Sequence, residues 1–228
     1  ACPWWQYPHV PFGDPRWDRG TGGMVLNEPL GFEFYNLADT PACATNFFHF
    51  LTGFSNYTKL DTLYMAPTQI KPKLLRLIEK ESRHGEEGHM ILKANSLVDP
   101  DIIKGLYQAS QKGCKIDLII RGICCLKPGI KGVSENITVH SIIGKYLEHP
   151  RIYYFRHAKT QCYISSADLM PRNLDRRVET IFPVEDEALK RRIIDEILAI
   201  EMMDNVQARE LQSDGSYKRL KPGDETSP

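Results

Sequence analysis

From residue 62 to residue 120, short apolar runs of strand length alternate with longer stretches whose apolar residues recur every three or four positions. TLYMAP, closed by Pro67, reads as a strand. Residues 71–84 place Leu74, Leu75, Leu77 and Ile78 at helical spacing, and Gly85 and Gly88 stop them. Residues 89–94 are a second strand. Asp99-Pro100-Asp101 opens a second helix, because an aspartate oxygen can accept from the free N–H groups of a first turn and proline needs no partner there. Ile102, Ile103, Leu106 and Tyr107 form its apolar face and Gly113 ends it, before a third strand at 116–120. This order predicts right-handed strand-helix-strand crossovers, hence an α/β domain with a mixed, mostly parallel sheet flanked by helices.

The strand ends carry the chemistry. Arg121-Gly122 follows the third strand directly, and open α/β sheets bind ligands at the carboxyl ends of their strands. His149 precedes an apolar run at 152–155, and Tyr163-Ile164 leads into Ser165-Ser166-Ala167-Asp168. Arg, His and Ser are thus expected to converge. A guanidinium offers fixed donors to two phosphate oxygens, histidine can carry a phosphoryl group or donate to one, and hydroxyls can orient it. Arg151, two positions after His149, shares its face of an extended strand. Arg172 and Arg176 stand in a dense charged run at 172–179 whose members are expected to pair partly with one another. We read a phosphotransfer site, with His149 as the catalytic candidate and Arg121, Arg151, Ser165, Ser166, Arg172 and Arg176 as phosphate contacts. From the residues alone, a core or surface histidine and a strand-edge arginine remain alternatives.

Charge is balanced, 29 basic against 29 acidic residues, so anion affinity must come from local clustering and no nucleic-acid partner is expected. The six cysteines lack metal-ligand spacing and read as reduced thiols, the pair Cys124-Cys125 as small buried residues. No apolar run reaches membrane-spanning length and no secretory leader is read, so a cytoplasmic location is expected. Lys71, Lys73, Arg76, Lys80 and Arg83 read as a solvated helix face. The loop at 122–132 holds glycines and lysines without P-loop spacing, which leaves loop structure and phosphate contact both open. ITVHSII reads as a further strand. Residues 186–204 form an amphipathic helix with Ala188, Leu189, Ile193, Ile194, Ile197, Leu198 and Ile200 on its closing face.

The words RGICCL, SIIGKYLEH, RIYYF and SSADLMPRNLDRRVE closely resemble the C-terminal part of bacterial polyphosphate kinase, the type related to phospholipase D. The resemblance starts near residue 46; Leu169 stands where that family usually has tryptophan. It implies a phospholipase D-like domain and reversible transfer of the ATP terminal phosphate to inorganic polyphosphate. It also implies ATP or ADP and polyphosphate as ligands, with Arg121 and His149 contacting the nucleotide or its phosphates. Further implied are Mg²⁺ held by residues outside this stretch, preceding domains that include the phosphorylated histidine, and a homo-oligomer in the full-length protein. The expected organisation is an irregular segment at 1–44, the phospholipase D-like domain at 45–210, with a short helix at 45–56, and a polar tail at 211–228. Without the preceding domain the chain is expected to be inactive. Two other readings stay open: a non-catalytic polyphosphate-binding, nucleotide-binding or interface domain, and a phospholipase D-like phosphodiesterase. His157-Ala158-Lys159 spells the start of the phosphodiesterase motif, but Ile164 stands where its aspartate belongs.

Overall fold

The computed structural model describes residues 63–144, 148–159 and 161–220, together with His49. The chain divides into two units, Ala1–Tyr57 and Thr58–Pro228, and the sheet with its helices belongs to the second. The irregular segment expected at 1–44 and, apart from His49, the helix at 45–56 lie outside the described residues.

The alternation seen in the sequence becomes β1 (Tyr64–Met65), α1 (Ile70–Ser82), β2 (His89–Ala94), α2 (Pro100–Gln111) and β3 (Lys115–Ile120). Asp99 caps α2 as its chemistry requires, its side chain accepting from the amides of Asp101 and Ile102 at 3.0 and 3.1 Å; such a cap contributes about 1 kcal/mol. β4 (Ile137–Ser141), β5 (Arg151–Phe155), β6 (Cys162–Ser165), α3 (Pro171–Arg176) and β7 (Thr180–Pro183) follow. A helical run at 187–202 and a hairpin of β8 (Arg209–Leu211) and β9 (Tyr217–Arg219) complete the described chain. Residues 212–220, expected to begin a polar tail, are thus part of the sheet region, and 221–228 lie outside the described residues.

Among the described residues the nine strands form one sheet in the order β1-β7-β6-β5-β2-β3-β4-β8-β9. The mixed sheet is as expected, but its predominant direction is not. Only β2–β3 and β3–β4 are parallel, and the other six neighbours pair antiparallel. The crossover rule holds for β2-α2-β3. It fails at β1, which pairs with β7 at the far edge, and at β5 and β6, whose short connection can only make a hairpin.

Successive side chains of a strand point to opposite faces. Met90, Leu92 and Ala94 of β2 enter a core shared with Leu74 and Ile78 of α1 and Ile102 and Leu106 of α2. Lys93 points the other way and meets Glu201 in the helical run at 187–202. That run is α-helical at Glu187–Arg191 (α4), a π-helix at Arg192–Leu198, and α-helical again at Ala199–Met202 (α5). The π segment moves the buried positions from an i+4 step, Leu189 to Ile193, to an i+5 step, Ile193 to Leu198. Ile200, expected on the closing face, is exposed in consequence.

Two further expectations change. Lys71 does not lie on a solvated face: its ammonium is ringed by Asp99, Asp101 and Asp175 at 2.9, 2.7 and 3.4 Å, bracing α1 against α2 and α3. Lys73 likewise sits 4.3 Å above the Tyr64 ring. Of the cysteine pair, Cys124 is half-buried and Cys125 is exposed; both are free thiols, as are Cys114 and Cys162.

Candidate active site

β5 runs antiparallel to β2 with Ile152 opposite Lys93, so the residues before β5 lie beside those after β2. β6 reverses again, with Ser165 opposite Arg151. The carboxyl ends of β2, β3 and β6 and the amino end of β5 therefore share one edge of the sheet. Arg121 leaves β3 at this edge. Its Nε donates to Asn95 Oδ1 at 2.5 Å, and its Nη2 lies 3.1 Å from His149 Nδ1 and 3.5 Å from Nε2. Gly122 permits the approach: its N–H donates to the Asn95 carbonyl at 2.8 Å, and a Cβ there would stand 2.8 Å from that oxygen.

Arg151 is fixed rather than free. Its Nε and Nη2 donate to Asp168 Oδ1 and Oδ2 at 3.1 and 3.0 Å, a bidentate pair, and its Nη1 donates to the His149 carbonyl at 2.9 Å. Asp168 Oδ1 also accepts from the Asn95 amide at 2.8 Å. Burial opposes ionisation of Asp168, but the Arg151 fork and the Asn95 amide outweigh it and hold the carboxyl below its ordinary range. One carboxylate thus ties the ends of β2, β5 and β6 and sets the backbone of His149.

Burial, and then the adjacent guanidiniums of Arg121 and Arg151, lower the His149 pKa, so the ring is neutral at pH 7. A guanidinium only donates, so the nitrogen it addresses is bare. With Nδ1 the nearer, the hydrogen-bond pattern assigns the ring proton to Nε2. His149 then presents one N–H beside the remaining Arg121 donors, an arrangement suited to phosphate oxygens.

Behind His149, Glu148 accepts from the buried Lys93 at 2.8 Å, and Lys93 also contacts Glu201. Burial pushes Glu201 up to about 7. Glu148 is desolvated too, but the Lys93 hydrogen bond keeps it below its ordinary value. The sequence alone does not single out Lys93, Asn95 or Asp168. Asn95 and Asp168 are accessible to the same strand-end rule that finds Arg121; Lys93 is not, because its partners Glu148 and Glu201 lie 55 and 108 residues along the chain.

Other expected contacts are placed differently. The Ser165 hydroxyl donates to the Thr180 carbonyl at 3.0 Å and accepts from the Ala167 amide. The Ser166 hydroxyl donates to Glu179 Oε2 at 2.5 Å and accepts from the Thr180 amide. Each hydroxyl has one proton, and both are spent joining β6 to β7 instead of facing phosphate. Arg172 and Arg176 are exposed on α3. The charged run pairs outward, through Asp175 to Lys71 and Glu179 to Ser166, as well as locally from Asn173 to Glu179 at 2.8 Å. His157 lies at the opposite end of β5, stacked on His84 at 4.0 Å and bonded through Nδ1 to the buried Glu81 at 2.9 Å.

The mixed sheet flanked by helices is a phospholipase D-like α/β fold. A phospholipase D family member, Nuc, from Salmonella typhimurium shares it, with a TM-score of 0.50 at 14% identity over 66% of this chain and 97% of that one. Residues 63–228 match the family model for the polyphosphate kinase C-terminal domain 2, and the chain belongs to that family. It is 56% identical over 174 residues to a polyphosphate kinase of Helicobacter pylori, covering 76% of this chain and 25% of that protein. Against a polyphosphate kinase of Campylobacter jejuni it is 49% identical over 193 residues, 85% of this chain and 28% of that one. The crystal structure of polyphosphate kinase from Porphyromonas gingivalis superposes with a TM-score of 0.75 at 39% identity, over 80% of this chain and 28% of that chain. The chain therefore spans about a quarter of the length of the relatives it matches.

Proposed function

We propose that this chain is the nucleotide- and polyphosphate-facing C-terminal part of a polyphosphate kinase that transfers the terminal phosphate of ATP reversibly to inorganic polyphosphate. The observation that carries this is the Arg121–His149 pair, 3.1 Å apart at the sheet edge and backed by the Arg151–Asp168 clamp. Arg121 supplies a permanent charge with fixed donors, and the neutral His149 supplies an N–H that donates a hydrogen bond to a phosphate oxygen. Arg151 and Asp168 hold the geometry, which is what electrostatic stabilisation of a transferring phosphoryl group needs. Exposed Arg172 and Arg176 are outer contacts for the chain of phosphates.

Magnesium does not fit the residues gathered here. Among the described residues no cluster of His, Cys, Asp or Glu is arranged to hold a metal, and the carboxylates near His149 are already engaged, Asp168 by Arg151 and Glu148 and Glu201 by Lys93. The phosphorylated histidine of the resemblance is likewise assigned to a preceding domain, so the isolated chain binds but does not polymerise. The domains that complete the enzyme, a homo-oligomeric assembly and a cytoplasmic location belong to the same reading. Among the described residues no helix is long and apolar enough to cross a membrane.

Phosphate transfer from labelled ATP tests this, measured with residues 1–228 alone and with the preceding domains restored. Polymer is expected only from the restored enzyme, with Arg121→Ala and His149→Ala each reducing turnover at least ~10²-fold, as for loss of one preorganised electrostatic group. Synthesis by the isolated chain, or full turnover by His149→Ala, refutes the proposal.

A further inference from the structure

Beside Arg121, on the side away from His149, the sheet continues through β4 to the β8–β9 hairpin. A groove of about 540 Å³ opens there, within the size range of ligand sites. Its nine lining residues include Arg121, Arg209 and Arg219 and no carboxylate. In a chain with no net charge, that bias is local and built by the fold.

The register shows how. Ser141 of β4 pairs with Arg209 of β8, and Arg209 pairs with Arg219 of β9. The Ser141 hydroxyl reaches the Arg121 carbonyl at 3.5 Å, which joins this rung to the end of β3. Adjacent strands lie ~4.8 Å apart, so the guanidinium-bearing positions run over roughly 14 Å from β3 to β9. Tyr217, two residues before Arg219, lies on the same face of the hairpin. Arg219 is held by the Val206 carbonyl, which accepts from its Nε and Nη2 at 3.3 and 3.1 Å. A carbonyl orients the guanidinium without cancelling its charge. Two arginines directly opposite in an antiparallel pair repel each other, and a bound anion relieves that repulsion. One phosphate cannot span the rung, whereas a linear chain of phosphates can.

We propose that Arg209 and Arg219 on the β8–β9 hairpin form a second subsite that holds a linear polyphosphate chain running outward from Arg121. The proposal rests on the phosphotransfer reading of the Arg121–His149 edge and extends it to residues that reading did not use. Inorganic polyphosphate and the triphosphate of a nucleotide share this chemistry; the length of the row selects the longer chain.

Calorimetric titration of residues 1–228 with long-chain polyphosphate and, separately, with ATP distinguishes these sources. Arg209→Gln with Arg219→Gln is expected to weaken polyphosphate binding at least ~10-fold, the loss of charge-assisted contacts, while leaving ATP affinity within about twofold. Arg209→Lys with Arg219→Lys keeps the charge without the fork and is expected to recover part of the affinity. Both positions are exposed, so unchanged melting is expected for either double variant. Wild-type polyphosphate affinity in the glutamine variant overturns the subsite, and selective loss of ATP assigns the groove to the nucleotide and overturns it as well. If Arg121→Gln abolishes binding of both ligands while the hairpin variant changes nothing, only the subsite falls. If the wild-type chain binds neither ligand, the phosphotransfer reading falls with it.

Discussion

Asp168→Ala removes the acceptor that ties three strand ends together. Its side chain is 13% exposed and that of Arg151 is 11% exposed, so truncation leaves a largely buried guanidinium without its counter-charge. Breaking such a pair costs about 3–5 kcal/mol, a range that includes about 1 kcal/mol for the Asn95 amide left without its 2.8 Å acceptor. At ~2–4 °C per kcal/mol for a domain of this size, the midpoint of thermal unfolding should fall by roughly 10 °C. Circular dichroism of residues 1–228 at pH 7 measures it. Acid supplies a second check: the Asp168 pKa is lowered from 3.8, so its contribution is complete above that value and is lost as pH falls through the folded-state value. The gap between wild type and variant should therefore close on acidification. A loss under about 1 kcal/mol at pH 7, or a gap that widens in acid, would show that the clamp does not hold the site.

Glu201→Gln should remove a downward slope of stability between about pH 4.5 and 7, because the native Glu201 keeps its proton up to about 7 and loses the advantage as pH rises through that value; urea unfolding across this window reads it, and an unchanged slope refutes the assignment. His157→Ala should lower stability by about 1–3 kcal/mol, since buried Glu81 loses the Nδ1 partner at 2.9 Å, yet leave ATP and polyphosphate affinity intact; loss of ligand binding would move the site to the other end of β5. Gly122→Ala forces a Cβ to within 2.8 Å of the Asn95 carbonyl, which should cost about 1–3 kcal/mol and weaken ATP binding with it; a variant that melts and binds as wild type refutes the close-approach argument.

The helices and strands from β1 to β3 were legible because each is specified locally, whereas the short β7, the β8–β9 hairpin and the π segment were not. Asp99, Pro100 and the apolar face of α2 need only a window of a dozen residues to declare a helix. The same holds for Arg121 and His149 as strand-end groups. Partners of charges were not legible, because packing of distant segments decides them. Lys71 resembles any exposed lysine on α1 until Asp175, 104 residues on, reaches it. Glu201 turns toward Lys93, 108 residues away, only because the π segment shifts the buried face by one position. Ser165 and Ser166 show the converse: their composition suits phosphate, but the β6–β7 pairing claims both protons.

Strand direction has the largest consequence for the site. Arg121 follows the end of β3 and His149 precedes the start of β5, so in an all-parallel sheet the two would sit at opposite edges. The five residues of β5 alone would separate them by about 17 Å. Of the groups expected to converge, Arg121 and His149 do meet, for a reason the expectation of a mostly parallel sheet did not contain. β5 enters antiparallel to β2, with Ile152 opposite Lys93, and that reversal places His149 beside Arg121 at 3.1 Å. It also carries His157 to the far edge. The topology thereby separates two histidines flanking one strand into a neighbour of Arg121 and a structural partner of Glu81.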